Sequence, residues 1–243
     1  NVVSGMIPHV ENLRQVAEQV QIDISRIIPS VLASANAVLT EKQKENGVAV
    51  IDLGATTTGI AIYEDGDLQY LRVLPVGGNN ITNDLAICLK VTPEVAEEIK
   101  IKHALAGIRS EHRDVMIKNG HEHYSFNTLE IDEVVDARLE EIFEEIEKEF
   151  KLAGCNKQLP SGIVLVGGGA NMKKIAEYSK KSLELASQVG KIDIESTISE
   201  DVKNPEFAAA VGLMLSEIHH SQAETRHEQN HQGFFAKLFK RNK

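Results

Sequence analysis

The run Val48-Ala49-Val50-Ile51-Asp52-Leu53-Gly54-Ala55-Thr56-Thr57-Thr58-Gly59-Ile60-Ala61-Ile62-Tyr63 constrains the fold more than any other part of the chain. Two apolar segments of strand length flank a polar tip, which predicts a β-hairpin with an aspartate at its entrance. Such a tip suits a phosphate. The glycine lets backbone N–H groups approach an anion, the threonine hydroxyls add donors, and the aspartate can hold a magnesium ion through water. The same D-x-G-x-x-T spacing also occurs in ordinary hairpins, so the tip alone leaves a plain turn open.

A second stretch, Ser161-Gly162-Ile163-Val164-Leu165-Val166-Gly167-Gly168-Gly169-Ala170-Asn171-Met172, reads as a buried strand running through three glycines into a helix. Residues without side chains at a strand-to-helix turn let a ligand lie flat against the backbone, and the helix N-terminus offers unpaired N–H groups. A tight βα turn is the plain alternative, but one glycine would supply the positive φ that such a turn needs. In this order, the two stretches resemble the phosphate and adenosine motifs of the actin, Hsp70 and sugar-kinase superfamily. Asn204-Pro205-Glu206-Phe207-Ala208-Ala209-Ala210-Val211-Gly212-Leu213 resembles that superfamily's second connecting helix, where small residues let two helices cross closely.

Bulk properties fit a globular α/β protein: 243 residues of which 42% are hydrophobic can bury one large core or two smaller ones. A 5% aromatic content without tryptophan, and a net charge of −10, argue against a nucleic-acid partner. Cys88 and Cys155 have no C-x-x-C spacing, which argues against a metal cluster or a disulfide framework and fits a reducing cytoplasm. No apolar run approaches the ~20 residues of a membrane span and no signal peptide opens the chain. The chain begins at Asn1 and reads as a fragment missing its natural start.

Helical spacing predicts helices over 9–20 and 24–40, the second with a break or kink at Pro29. Residues 41–47 read as a polar connector. Glu64-Asp65-Gly66-Asp67 is a turn leading to a third strand from Leu68 to Leu74, so the hairpin grows into a meander. Gly77 and Gly78 open the next helix and place it near the same ligand; the plain alternative is a capped helix, with Thr82 or an asparagine as the cap. Thr92-Pro93 opens another helix, where Glu97 and Lys100 share a face as an exposed ion pair or as contacts to a nucleoside. Residues 104–127 read as strand and loop. A long helix follows over about 129–152, with Val134, Val135, Leu139, Ile142, Phe143, Ile146 and Phe150 as its apolar stripe and an acidic face toward solvent. After the glycine turn come a helix to about Leu185, a short strand over 191–194 and the small-residue helix ending near Ile218.

Residues 219–232 have almost no apolar content and read as a flexible linker; their histidines, His219, His220, His227 and His231, lack the cysteines or scaffold of a metal site. The chain closes on Gly233-Phe234-Phe235-Ala236-Lys237-Leu238-Phe239-Lys240-Arg241-Asn242-Lys243. On a helical wheel Phe234, Phe235, Leu238 and Phe239 fall in one sector and the cations elsewhere. Such a helix lies in a membrane interface with its aromatic face in the lipid boundary and Lys237, Lys240 and Arg241 on anionic headgroups, although docking on its own domain or on a protein partner is open to it too.

The nucleotide motifs, the polar linker and the aromatic-basic terminal helix together resemble the FtsA family of bacterial cell-division proteins. The resemblance covers nearly all of the chain, including Leu32-Ala33-Ser34-Ala35-Asn36-Ala37-Val38-Leu39-Thr40. It implies an incomplete actin/Hsp70/sugar-kinase-like ATPase fold. Residues 1–40 would be the end of the family's inserted subdomain and its exit helix, 41–218 the second lobe, 219–232 the linker and 233–243 the membrane-targeting helix. It further implies ATP and Mg2+ as cofactors. Asp52, Gly54, Thr56, Thr57 and Thr58 would face phosphates and magnesium, with Gly77 and Gly78 beside them. Glu97 and Lys100 would lie near the ribose and base, and Gly167, Gly168, Gly169 and Met172 around the adenine. The family often has glycines where this chain has Ala55 and Thr56, and the added side chains narrow the cradle for tight binding and hydrolysis. No residue here is a convincing general base.

The implied partners are the C-terminal peptide of FtsZ with Arg138 as the contact, further copies of the chain in a filament, anionic lipids and other division proteins. The implied place is the cytoplasmic face of the cell membrane at the division septum. A salt bridge to a neighbouring glutamate is the plainer role for Arg138. Two other functions fit the fold, a sugar- or acetate-kinase phosphotransferase and a type IV pilus assembly protein like PilM, but neither gives the tail a role. An Hsp70-type chaperone would need a β-rich peptide-binding domain after the nucleotide domain. Phe234→Glu with Phe239→Glu in the full-length protein is expected to abolish co-sedimentation with anionic vesicles; equal sedimentation of variant and wild type would remove the anchor.

Overall fold

The structure is a computed structural model and describes residues 5, 7–119, 122–155, 158–192 and 200–217. The expected linker over 219–232 and terminal helix over 233–243 lie outside the described residues. Helices α1 (Ile7–Gln19), α2 (Ser30–Val38) and α3 (Glu41–Asn46) precede the meander β1 (Val48–Leu53), β2 (Thr58–Glu64) and β3 (Asp67–Leu74). Then come α4 (Gly78–Leu89), α5 (Pro93–His103), the hairpin β4 (Asp114–Asn119) and β5 (Glu122–Asn127), and α6 (Thr128–Leu152). Strand β6 (Ile163–Val166), α7 (Ile175–Leu183), β7 (Ser187–Val189) and a last helix α8 over residues 208–217 complete the described fold.

The main sheet has the order β3-β2-β1-β6-β7, with β1 antiparallel to β2 and parallel to β6. Both faces of β1 and β6 are covered, so these strands read as continuous apolar runs instead of alternating ones. Alternation decides which core each residue joins. Ala49, Ile51, Leu53, Ile163 and Leu165 pack with α4 to α7, while Val48, Val50, Val164 and Val166 pack with α2 and α8. Asp52 shares the parity of Val48 and Val50 and so belongs to the face that α2 covers.

The predicted helix over 24–40 shortens to Ser30–Val38. Pro29 sits at φ −56°, ψ 135° as the cap, and a proline disfavours helical backbone in the residue before it. Residues 41–46 are helical rather than a connector: Thr40 Oγ1 accepts from Gln43 N at 3.3 Å and Gln43 Oε1 accepts from Thr40 N at 2.9 Å, a complete capping box. A short strand falls at Ser187–Val189, where parallel pairing with β6 selects it against its polar composition, and residues 191 and 192 of the expected strand are not in one. Residues 193 and 194 lie outside the described residues.

Helix α6 buries Val135, Leu139, Ile142, Phe143, Ile146 and Phe150 of the expected stripe. It also buries two acidic residues that periodicity assigns to solvent. Asp132 accepts from Arg109 Nε at 2.7 Å and Nη2 at 2.6 Å, and Glu149 accepts from the Tyr70 hydroxyl at 2.5 Å. Helices α2 and α8 cross at contact distance, since a Cβ on Gly212 would stand 1.7 Å from the Ala33 carbonyl oxygen.

Candidate functional site

The two glycine-bearing stretches meet at one end of the main sheet. In the parallel pairing of β1 with β6, Asp52 stands opposite Val166, so the chain leaves both strands side by side at their carboxyl ends. Crevices at the carboxyl ends of parallel strands are where open α/β sheets hold ligands. Gly167 turns the chain away from β6 at φ +83°, a value that favours glycine. A Cβ there would also lie 2.4 Å from Asp52 Oδ1 and 2.7 Å from the Leu53 carbonyl oxygen. Gly169 fits against Leu53 as closely, with 2.7 Å between its notional Cβ and Leu53 Cβ. Gly168 is different: it is exposed and a Cβ there meets nothing within 4 Å. It is the one glycine of the three whose lack of a side chain serves no contact inside the fold. The turn runs through a short 3-10 segment, Gly168–Asn171, before α7 begins at Ile175, so the expected helix starts later. Met172, half-buried, follows that segment and packs against the core under α7.

At the hairpin tip Ala55, Thr56 and Thr57 are exposed, whereas Thr58 is fully buried and donates its hydroxyl to the Val76 carbonyl at 2.8 Å. Thr56 and Thr57 therefore carry the exposed hydroxyls of the tip, and Thr58 anchors it to the segment leading into α4. Gly54 N donates to the Thr57 carbonyl at 3.0 Å and closes the turn. Gly77 and Gly78 lie beside this tip, with their neighbours' amides engaged in it. Gly78 N donates to the Gly54 carbonyl at 2.9 Å, Asn79 N donates to that of Ala55 at 2.7 Å, and Gly77 N donates to Asn80 Oδ1 at 3.0 Å. A Cβ on Gly77 would stand 2.6 Å from the Gly54 oxygen. The doublet thus lets the N-terminus of α4 dock on the hairpin, and its amides satisfy the hairpin's carbonyls.

Glu97 and Lys100 form a network with α4. Lys100 Nζ reaches Glu97 Oε2 at 2.7 Å, Thr82 Oγ1 at 2.8 Å and the Gly78 carbonyl at 3.1 Å, and the Thr82 hydroxyl also donates to Glu97. Lys100 is largely buried and Glu97 half-exposed. Burial alone would raise the Glu97 carboxyl, but the hydrogen bonds from Lys100 and Thr82 hold it below the usual carboxylate range. The Asp52 carboxyl moves the other way: burial lifts it above that range, and a hydrogen bond from Ser34 Oγ at 3.0 Å counters only part of the lift. The sequence did not single out Ser34, and it offered Thr82 only as a helix cap, a place that Gly77 takes; the roles of both depend on partners from other elements.

Arg138 stands on α6 and is engaged by other partners. Its Nε and Nη2 grip the Asp84 carboxylate of α4 at 2.5 and 3.0 Å, and Nη1 donates to Glu141 at 2.6 Å. These bonds, the Asp84 bond foremost, raise its already high pKa further. The guanidinium stays about a quarter exposed.

A magnesium ion fits this donor set in one way. Asp52 supplies one half-buried carboxylate, and among the described residues no group of three or more His, Cys, Asp or Glu side chains is placed to hold a metal. An ion there would be ligated through water and a ligand's own oxygens, as magnesium prefers.

A five-stranded sheet with a phosphate-type hairpin and a glycine turn at its carboxyl ends defines the class: part of an ATPase-type fold of the actin kind. Solved structures agree. MreB5 of Spiroplasma citri, described as bound to ADP, superposes with a TM-score of 0.73 at 18% identity, covering 91% of this chain and 68% of that one. The MamK double helical filament gives 0.62 at 20% identity over 88% of this chain and 66% of that one. A PilM-PilN type IV pilus biogenesis complex gives 0.61 at 18% over 85% and 57%. The family model described as "Cell division protein FtsA" matches residues 49–212, and the chain belongs to that family. FtsA of Neisseria meningitidis is 33% identical over 88% of this chain and 53% of its own length, and that of Bacillus subtilis 32% identical over 87% and 48%. The chain spans about half the length of these curated relatives.

The glycines at the turn separate by experiment. Gly167→Ala is expected to lose about 2–4 kcal/mol from positive φ and the clash with Asp52, and Gly168→Ala to stay within about 0.5 kcal/mol of wild type, as read by urea unfolding of the full-length protein. Equal losses would mean that the turn tolerates or resists both side chains alike and that Gly168 is not open.

Proposed function

We propose that the crevice between the hairpin tip and the Gly167–Gly169 turn binds ATP with magnesium, and that the protein uses it as an actin-like membrane adaptor in cell division. The observation that carries the reading is the meeting of Asp52, the exposed Thr56 and Thr57 hydroxyls and the open Gly168 at the carboxyl ends of β1 and β6. Asp52 would hold magnesium through water, and Thr56 and Thr57 would donate to phosphate oxygens with Gly54 at the turn beneath them. Gly168 leaves room for the flat face of the adenosine, with Gly167, Gly169 and Met172 framing it. Glu97, whose carboxylate is half-exposed, is the member of the Lys100 network placed to accept from a ribose hydroxyl. Bound magnesium would neutralise phosphate charge; the chain's own residues bind and orient. The structures of MreB5 from Spiroplasma citri described as bound to ADP and to AMPPNP support nucleotide binding by this fold.

In this reading ATP acts as a conformational ligand that favours contacts between copies of the protein by population shift. The MamK filament supports self-association of the same fold. Residues Phe234, Phe235, Lys237, Leu238, Phe239, Lys240 and Arg241 would hold the assembly on the inner face of the membrane at the septum. No helix among the described residues is long and apolar enough to cross a membrane. The FtsZ C-terminal peptide would dock near Arg138 and be tethered there.

Two tests follow. Titration of full-length protein with a fluorescent ATP analogue is expected to give saturable binding that Asp52→Ala weakens about tenfold or more in magnesium and much less in chelator; no saturable binding by wild type would end the nucleotide reading. For the partner, Arg138→Ala is expected to weaken binding of the FtsZ C-terminal peptide about tenfold. Asp84→Ala, which breaks the α4–α6 clamp but keeps the guanidinium, is expected to leave it near wild type; equal losses in both would assign Arg138 to the clamp alone.

A further inference from the structure

Helix α2 carries a buried polar group that the nucleotide reading does not use. Ser34 is fully buried, and its Oγ donates to Asp52 Oδ2 at 3.0 Å. The residue before it, Ala33, supplies the carbonyl against which Gly212 of α8 is packed, 1.7 Å from where a Cβ would stand. The second residue after it, Asn36, donates from Nδ2 to Ser216 Oγ at 3.1 Å, and Ser216 Oγ donates to the Gly212 carbonyl at 2.7 Å. Within one turn, α2 is thus fastened to the Asp52 carboxylate and to α8. Close-packed contacts of this kind do not slide freely, so a displacement at one is felt at the other.

We propose that Ser34 is a positioning residue for the Asp52 carboxylate and couples the ligation of Asp52 to the α2–α8 crossing. The inference rests on the nucleotide reading above. A hydrated cation drawn to Asp52 shares the carboxylate with the Ser34 hydroxyl, so ligand binding changes the bond that fixes α2 over β1. Helix α8 would then respond through Ala33 against Gly212 and Asn36 on Ser216, with no ligand contact of its own.

The test reads hydrogen exchange in residues 208–217 of the full-length protein, with and without saturating Mg-ATP, alongside direct ATP-analogue binding. Wild type is expected to change its exchange there about fivefold or more on binding. Ser34→Ala is expected to bind at saturation and to lose that change, while Ser30→Ala, exposed on the same helix, keeps it. Ser34→Cys, close in volume with a weaker donor, is expected to fall between them and serves as the variant where Ser34→Ala fails to fold. A Ser34→Ala or Ser34→Cys protein that responds like wild type overturns the inference, as does wild type that binds Mg-ATP without change over 208–217. Wild type that binds no Mg-ATP overturns the nucleotide reading together with it.

Discussion

The parallel pairing of β1 with β6 is the constraint on which the rest depends. With Asp52 opposite Val166, the hairpin tip and the glycine turn leave the sheet side by side, so close at their bases that residue 167 has no room for a side chain. Asp52 Oδ1 and the Leu53 carbonyl fill the place that any side chain at residue 167 would need. A one-residue slip would do more than move the turn. It would exchange the faces of the strand and carry Asp52 from the α2 side, away from the Ser34 hydroxyl, into the larger apolar core under α4 to α7. Two apolar cores of different membership therefore hold the register, and the register holds the site.

Much of this was legible because the relevant signals are local. Apolar runs of strand length, a glycine triplet and a proline after threonine each have a meaning fixed by backbone sterics, and β1, β2, β6 and α5 follow from them. The capping box at Thr40 and Gln43 was equally local, and α3 could have been read from it. What the sequence did not disclose depends on partners from distant elements. Asp132 and Glu149 sit among the acidic residues of α6 and look like solvent-facing ones. Only the fold brings Arg109 to the first and Tyr70 to the second. Ser34 is likewise an ordinary polar residue until Asp52 is set beside it, and the bond from Thr58, a residue expected at a phosphate, to the Val76 carbonyl is equally invisible in the sequence.

The glycine doublet at residues 77 and 78 shows how one sequence signal can serve two purposes. Read locally it is a helix start that leaves backbone amides open to an anion. In the fold the amides of Gly78 and Asn79 already donate to the carbonyls of Gly54 and Ala55, that of Gly77 donates to Asn80 Oδ1, and α4 is docked on the hairpin tip. The tip is consequently held from three sides, by the Thr58 anchor, by the start of α4 and by the β6 turn. The side chains of Ala55 and Thr56 are exposed. Their presence leaves the packing of the tip intact, so any effect they have falls on what binds the tip and not on the fold.

The charge of the chain bears on how attachment to a membrane could work. The terminal segment holds four of the 26 basic residues and none of the 36 acidic ones, so the tail and the body differ in sign. Each cation near an anionic surface contributes ~1 kcal/mol before entropic costs, and an acidic body beside the same surface opposes it. On the proposed function one tail would thus give weak and reversible attachment. Several tails on one assembly would act as a multivalent ligand whose affinity rises steeply with the number engaged. On the proposed function, membrane attachment and self-association therefore depend on one another. A nucleotide that shifts the α2–α8 crossing would control both through one set of contacts.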